Sequence, residues 1–102
     1  MKYLLMICAE TPADTPEFAA WLRELDARGA SRTGLPLAAP AEAVTVRVRG
    51  AERQLVDGQF GEINPLSVEI IDCADLDTAV AIAAAHPAAG RGPIEVRAYW
   101  ED

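Results

Sequence analysis

His86 is the only histidine in the sequence, and histidine is the residue whose ordinary pKa lies closest to neutral pH. It follows a predicted helix, so it could exchange protons with a substrate or hydrogen-bond a ligand at that helix end. It could also bond a backbone carbonyl or water there, because the helix dipole favours a cation at a C-terminus. His86 is therefore a candidate catalytic residue, and the structural role stays open.

Asp57 is the second candidate for acid–base chemistry. It precedes Gly58, and its carboxylate could accept a proton at the mouth of a cavity, provided that a substrate proton lies within hydrogen-bond reach. The same pair is also a turn signal, because an Asp side chain bonds the backbone two residues on and Gly allows positive φ. Both roles are compatible with the sequence.

Three arginines are candidates for ligand binding. Arg47 and Arg49 alternate with valines along one predicted strand, and Arg97 lies in the last predicted strand. Guanidinium groups there could hold a carboxylate or phosphate bidentately. They could equally form cross-strand ion pairs with Glu69 and Glu95, or with a second protomer.

The sequence carries no pattern of a metal or cofactor site. It has one histidine and two widely separated cysteines, and it lacks a glycine-rich phosphate loop. We therefore expect no metal and no cofactor. Cys8 and Cys73 are predicted to be reduced thiols of a cytoplasmic protein, too far apart for a bridge.

Charge and hydropathy exclude two classes of partner. The net charge is −7 and Lys2 is the only lysine, so binding to nucleic acid or to an anionic membrane surface is not expected. No apolar run approaches the ~18 residues of a membrane span. A length of 102 residues indicates one domain, over residues 1–102.

The elements that must position these residues follow from periodicity and caps. Tyr3–Ala9 is a continuous apolar run, typical of a central strand. Thr15 and Pro16 predict a helix start, and Gly29 predicts its end. The apolar face of that helix consists of Phe18, Trp21, Leu22 and Leu25, of which Phe18 and Trp21 could also form a pocket wall.

The second half predicts further strands and a helix. Residues 30–65 have a weaker pattern, with strands over 43–49 and 53–56 only. The remaining predicted elements are a strand over 66–73, a helix over 76–85 capped by Asp75 and ended by Pro87, and a strand over 94–100. The order predicts an α+β, ferredoxin-like fold, in which two helices cover one face of an antiparallel sheet.

We predict that another layer packs on the other face of that sheet. The first strand is apolar on both faces, and Trp100 could anchor an interface. A two-fold partner would bury the central strand, so we expect a homodimer. The further residues assigned to this second face are Arg47, Glu69, Ile71, Glu95, Arg97 and Tyr99.

Six segments together resemble the YCII-related family, in particular the subgroup named for its Asp-Gly-Pro-Phe motif. They include Lys2-Tyr3-Leu4-Leu5 and Leu55-Val56-Asp57-Gly58-Gln59-Phe60-Gly61-Glu62, with residues 46–50, 71–77, 86–89 and 94–97. The resemblance implies a ferredoxin-like monomer whose sheet meets that of a second copy, forming a dimeric α+β barrel. Gln59 departs from the motif, which has proline there.

The resemblance also bears on chemistry. Some YCII-like relatives are small-molecule enzymes with a His–Asp pair, whose positions fall near Phe18 and at His86, so the pair is not reproduced here. We favour a small-molecule-binding or accessory protein that binds a small anionic or aromatic ligand without turnover. The alternative is a cofactor-free enzyme, with proton-transfer or lyase-like chemistry, in which His86 or Asp57 moves protons and the arginines orient an anionic substrate.

Overall fold

A computed structural model describes residues 1–12, 14–57 and 65–99 of the chain. The predicted turn beyond Asp57, the Gln59 position of the motif and the proposed anchor Trp100 lie outside these residues, as does the side chain of Arg47. The elements are β1 (Lys2–Ile7), α1 (Pro16–Ala27), β2 (Ser31–Pro36), β3 (Val44–Arg49), β4 (Glu52–Asp57), β5 (Ser67–Asp72), α2 (Leu76–Ala84) and β6 (Ile94–Ala98).

Four strands form one antiparallel sheet in the order β2-β5-β1-β6. This is the order of a ferredoxin-like fold, and the predicted α+β class is confirmed. Strands β3 and β4 form a separate antiparallel pair, inserted between β2 and β5 in the chain. The predicted strand positions in this hairpin are confirmed as well.

Both helices begin at the predicted caps. The Thr15 hydroxyl accepts a hydrogen bond from the Phe18 amide at 3.2 Å, and the Asp75 carboxylate accepts one from the Thr78 amide at 2.9 Å. These bonds satisfy amides that have no partner within the helix. Gly29 follows α1 with φ of 67°, a left-handed conformation that ends the helix at little cost.

The core lies between the helices and one face of the four-stranded sheet. It contains Tyr3 and Leu5 of β1, Ile71 of β5, Trp21 of α1 and Ile82 of α2, all almost fully buried. Burial alternates along β1, so Leu4 and Met6 face away from the helices and are only partly buried. The side chains of β1 are therefore buried on the helix side of the sheet and only partly buried on the other side, as expected when successive side chains of a strand point to opposite faces.

Two expectations about the sheet were wrong. Strand β2 was not predicted, because Ser31–Pro36 contains Gly34 and Pro36, which weaken a strand pattern. Glu69 and Ile71 lie on the helix-covered face, because they pair with Leu5 and Tyr3 in register and are buried. The face away from the helices carries Glu95 and Arg97, which pair with Met6 and Leu4.

Cys8 and Cys73 are both unbridged. They follow β1 and β5, which run antiparallel, so the two thiols lie toward opposite ends of the sheet. Burial raises the pKa of the Cys73 thiol and makes it a poorer nucleophile. The prediction of separate thiols is confirmed.

Candidate functional site

The end of α2 places His86 in the interior. Pro87 has no backbone N–H and disfavours helical backbone at the residue before it, and His86 is extended with φ of −67° and ψ of 139°. Pro87 also begins a short 3-10 helix, Pro87–Gly90. His86 therefore leaves the axis of α2 and its side chain is 3% exposed.

Trp21 connects the two helices at this point. Its indole Nε1 donates a buried hydrogen bond to the carbonyl of Ile82 at 2.9 Å, in the last turn of α2. Carbonyls in that turn lack helical partners, so the indole supplies one. The Trp21 ring also packs edge-on against the His86 imidazole, with centroids 4.5 Å apart, and so fixes the orientation of the imidazole.

The hydrogen bonding of His86 defines its tautomer. Its Nδ1 accepts a hydrogen bond from the Ala88 amide at 3.0 Å, so Nδ1 carries no proton. Burial, together with the positive charges of Arg32 and Arg91, lowers the pKa of His86 to about 4. The imidazole is therefore neutral at pH 7, with its proton on Nε2.

The Nε2–H group is the remaining side-chain hydrogen-bond donor of His86. In residues 1–12, 14–57 and 65–99, every fully buried side-chain nitrogen or oxygen has a hydrogen-bond partner. The hydrogen bonds of His86 within this part of the chain involve its backbone groups and Nδ1. Nε2 thus has no hydrogen-bond partner among these residues, and His86 is one of the residues that line a pocket.

An ion pair lies beside the imidazole. Arg32 of β2 donates from Nε and Nη2 to the two carboxylate oxygens of Glu69 on β5, each at 2.8 Å. The carboxylate raises the pKa of Arg32, and the Glu69 side chain is 6% exposed. The guanidinium carbon also lies 5.4 Å from the centroid of the Phe18 ring, within cation–π range.

Gly34 makes room for this pair. It lies directly opposite Glu69 in register and two residues from Arg32 on the same face of β2. A Cβ atom at Gly34 would collide with the Arg32 guanidinium and with both carboxylate oxygens of Glu69. The glycine that weakens the strand pattern is therefore required for the ion pair to lie flat on the sheet.

These groups line a pocket of about 110 Å³, which we call the His86 pocket. Its lining consists of Thr11, Phe18, Arg32, Gly34, Leu35, Pro36, Ser67, Glu69 and His86. A shallower cleft of about 430 Å³ shares Thr11, Pro36 and Ser67 with it and is lined mainly by proline, alanine and leucine. A ligand head group in the pocket could thus extend an apolar body into the cleft.

The sequence-predicted site residues do not meet in one place. His86 lines the His86 pocket, whereas Asp57 is exposed at the end of β4 and does not line it. Arg49 is exposed beside the turn of the β3–β4 hairpin. Arg97 is exposed on the face of the sheet away from the helices.

Two charged residues of the pocket were missed as site residues. Arg32 lies in the strand that was not predicted, and Glu69 was assigned to the opposite face of the sheet. The cross-strand pairing predicted for Glu69 exists, but its partner is Arg32 on the neighbouring strand β2. The sequence signal was an acidic residue between apolar residues of a predicted strand, because a carboxylate that is buried there needs a cation beside it.

Neither a metal cluster nor a membrane helix emerges from the described ranges. No three side chains among the His, Cys, Asp and Glu of these ranges are grouped to hold a metal ion. The longer described helix, α1, has only 12 residues, and neither helix meets the length and hydropathy needed to cross a bilayer.

Fold and pocket together define the class: an α+β protein with a ferredoxin-like sheet, an inserted hairpin, and a small buried pocket at the end of its second helix. A family model for the YCII-related domain matches residues 1–101. The chain therefore belongs to the YCII-related domain family. No curated protein matches the sequence.

Proposed function

We propose that this chain is a small-molecule-binding protein of the YCII-related type and that its ligand occupies the His86 pocket. The observation that carries the proposal is the buried, neutral His86 imidazole, which is held by Ala88, lines the pocket, and has no hydrogen-bond partner for its Nε2–H among the described residues. A buried donor without a protein partner costs free energy unless water or a ligand accepts its hydrogen bond. Ligand binding supplies that acceptor.

The charges in the pocket define the kind of ligand. Arg32 uses two of its five N–H donors on Glu69, and in the described residues the others have no hydrogen-bond partner. Glu69 balances the charge of Arg32, so the pocket supplies hydrogen-bond donors without a large net charge. This favours a carbonyl or carboxylate oxygen as the group bound between Arg32 and His86.

The walls of the pocket favour an aromatic or apolar body behind that oxygen. Phe18 lines the pocket, and Leu37 and Leu66 line the adjoining cleft. Small-ligand sites commonly combine such walls with a few convergent polar groups. The ligand we propose is a small aromatic or apolar compound with one acceptor oxygen.

The geometry favours binding over turnover. A general base needs a free lone pair near neutral pH, but His86 uses Nδ1 to accept the Ala88 amide and keeps its proton on Nε2. Phe18 stands near the position where YCII-like enzymes have a histidine, and its ring lies 6.3 Å from that of His86. The enzymatic alternative would need Asp57, which lies outside the pocket lining.

We also propose a homodimer in which a second copy covers the face of the sheet away from the helices, completing a dimeric α+β barrel. Leu4, Met6 and Ile70 lie in the central strands of that face and remain partly accessible, and Leu35 at its edge is 60% exposed. An apolar sheet face of this kind is normally covered by another layer. A two-fold axis would allow each copy to cover the other.

Assignment to the Asp-Gly-Pro-Phe subgroup and a cytoplasmic location are further parts of the proposal. The assignment to the subgroup rests on the sequence segments that resemble it. Of these, residues 71–77 form the end of β5 and the start of α2, and residues 86–89 form His86 and the start of the 3-10 helix. The location is supported by the two unbridged thiols, Cys8 and Cys73, which persist in a reducing compartment.

A thermal-shift titration with benzoate, benzamide and phenol tests the ligand proposal. At tenfold excess over Kd, a bound probe stabilises the fold by about 1.4 kcal/mol, which raises Tm by roughly 6 to 11 °C. We expect benzoate or benzamide to shift Tm. Arg32→Gln and His86→Asn should each reduce this shift, because each removes a donor to the acceptor oxygen.

Arg97→Gln is the matched control, since it removes a guanidinium from the opposite face of the sheet. It should leave the response to the probe unchanged. The proposal is wrong if neither acceptor probe shifts Tm, or if the Arg32 and His86 variants respond as the wild type does. Loss of the response only in Arg97→Gln would move the binding site to the other face.

A further inference from the structure

The charges in the lining of the His86 pocket cancel at neutral pH. Within the described residues, the ionisable side chains of this lining are Arg32, Glu69 and His86. Arg32 and Glu69 carry opposite charges and form the bidentate ion pair described above. His86 is neutral, because burial and neighbouring positive charges lower its pKa to about 4. A charged ligand would therefore meet no net opposite charge in this pocket.

The ion pair is partly shielded from water. The Glu69 side chain is 6% exposed and that of Arg32 is 29% exposed. The guanidinium carbon of Arg32 lies 5.4 Å from the centroid of the Phe18 ring and 5.8 Å from that of Trp21, so aromatic carbon replaces water beside it. Partly buried charges are screened much less than exposed ones. The Glu69 carboxylate therefore acts strongly on any charge that enters the pocket.

The pocket lining retains hydrogen-bond donors although its charges are balanced. Glu69 accepts from Nε and from one N–H of Nη2 of Arg32, each at 2.8 Å. The Nη1 group, the second N–H of Nη2 and the Nε2–H of His86 have no hydrogen-bond partner among the described residues. An uncharged carbonyl oxygen has two lone pairs and can accept from two such donors. A carboxylate can accept from them as well, but it enters beside the carboxylate of Glu69.

We propose that the His86 pocket selects ligands whose acceptor is an uncharged oxygen, as in an amide, a ketone or an ester, and that Glu69 determines this selectivity by disfavouring carboxylates. The inference rests on the ligand site proposed above and names the class of ligand that fits it. A carboxylate loses its hydration on entry and finds the charge of Arg32 already balanced. Discrimination of this kind comes from a cost that is imposed on the wrong ligand.

Arg91 is the other cation that acts on His86, and it does not supply the charge that a carboxylate would need. It is exposed, does not line the His86 pocket, and donates from Nη2 to the carbonyl of Glu10 at 2.7 Å. The cleft that it does line also contains the acidic residues Glu10 and Glu17. Water and salt screen an exposed charge, so Arg91 does not offset the effect of Glu69.

Benzamide, acetophenone and benzoate test the selectivity in the wild-type protein, because they carry two neutral head groups and one anionic head group of similar shape on the same ring. We expect isothermal titration calorimetry at pH 7 to give a Kd for benzoate at least about tenfold higher than that for benzamide. Acetophenone should behave like benzamide. An acetophenone Kd close to that of benzoate would mean that the pocket selects the amide N–H and would overturn the inference.

Glu69→Gln and Glu95→Gln are a matched pair that tests the role of Glu69. In Glu69→Gln the amide oxygen can still accept a hydrogen bond from Arg32, but the guanidinium charge is no longer balanced. We expect the ratio of the benzoate Kd to the benzamide Kd to fall at least about tenfold in this variant. Glu95 pairs with Met6 on the face of the sheet away from the helices, so Glu95→Gln should keep the wild-type ratio. The wild-type comparison requires no variant and decides the selectivity even if Glu69→Gln does not fold.

The outcomes separate this inference from the proposed ligand site. Absence of binding by all three probes would overturn both. If benzoate binds the wild type as tightly as benzamide, and Arg32→Gln and His86→Asn weaken both probes, the selectivity is overturned and the site remains. A ratio that is unchanged in Glu69→Gln would overturn the role of Glu69. An equal change in Glu95→Gln would assign the effect to the net charge of the protein and would overturn that role as well.

Discussion

A histidine at the end of a helix is normally stabilised as a cation, because the last carbonyls carry partial negative charge. His86 behaves in the opposite way, since burial and the charges of Arg32 and Arg91 lower its pKa to about 4. Pro87 explains the difference, because it turns His86 off the helix axis and into the interior. At the scale of the residue, the imidazole is a fixed neutral donor.

This pKa predicts how stability depends on pH. Between about pH 6.5 and pH 4 the unfolded chain binds a proton at His86 that the folded chain does not bind. The free energy of unfolding therefore falls as pH falls through this window, by up to about 1.4 kcal/mol per pH unit. In His86→Asn, an Asn oxygen can still accept the Ala88 amide, but the titrating group is gone.

Urea unfolding of both proteins at pH 7, 6, 5 and 4.5 measures the effect. The stability difference, wild type minus His86→Asn, should be largest at pH 7 and shrink as pH falls. Carboxylates titrate in both proteins and cancel in this difference. A difference that stays constant across the four pH values would mean that the folded pKa of His86 is close to its ordinary value.

At the scale of elements, the sequence predicted the parts that follow strong local rules. The caps Thr15 and Asp75 determine where both helices begin, and Pro87 prevents α2 from continuing. Strand β2 could not be found, because its Gly34 is selected by the ion pair between Arg32 and Glu69 and not by strand propensity. The face of β5 was assigned wrongly because Glu69 is acidic, although its pairing with Leu5 buries it.

The β2 strand gives the second prediction. Gly34→Ala places a methyl group against the Arg32 guanidinium and the Glu69 carboxylate, and the pair must separate. Glu69 then loses its partner in a buried position, so we expect a loss of about 1–3 kcal/mol in the free energy of unfolding. The shift caused by benzoate or benzamide should also disappear, because Arg32 is displaced from the pocket.

Gly90→Ala is the control, since no atom lies within 4 Å of a Cβ there and Gly90 does not have a positive φ. Its stability should stay within about 0.5 kcal/mol of the wild type. If urea unfolding shows that Gly34→Ala is as stable as Gly90→Ala, the space above Gly34 is not needed for the ion pair.

At the scale of the whole molecule, two apolar surfaces remain after the monomer has folded. The helices cover one face of a four-stranded sheet, and the other face and the hairpin are left accessible. A chain of 102 residues with many alanines has a modest core, so in the proposed dimer burial against a second copy would add a large share of its stability. Folding and dimerisation should therefore be coupled.

Coupling makes Tm depend on protein concentration, because mass action favours the folded dimer. For two chains of this length, each tenfold increase in concentration should raise Tm by about 3 °C. Scanning fluorimetry at protein concentrations from about 1 μM to about 1 mM should show this slope in the wild type. Met6→Glu places a charge on the uncovered sheet face and should abolish the slope, whereas Ala20→Glu, on the exposed side of α1, should preserve it. A wild-type Tm that does not change with concentration would mean that the monomer is stable with this sheet face in water, and the dimer would have to be abandoned.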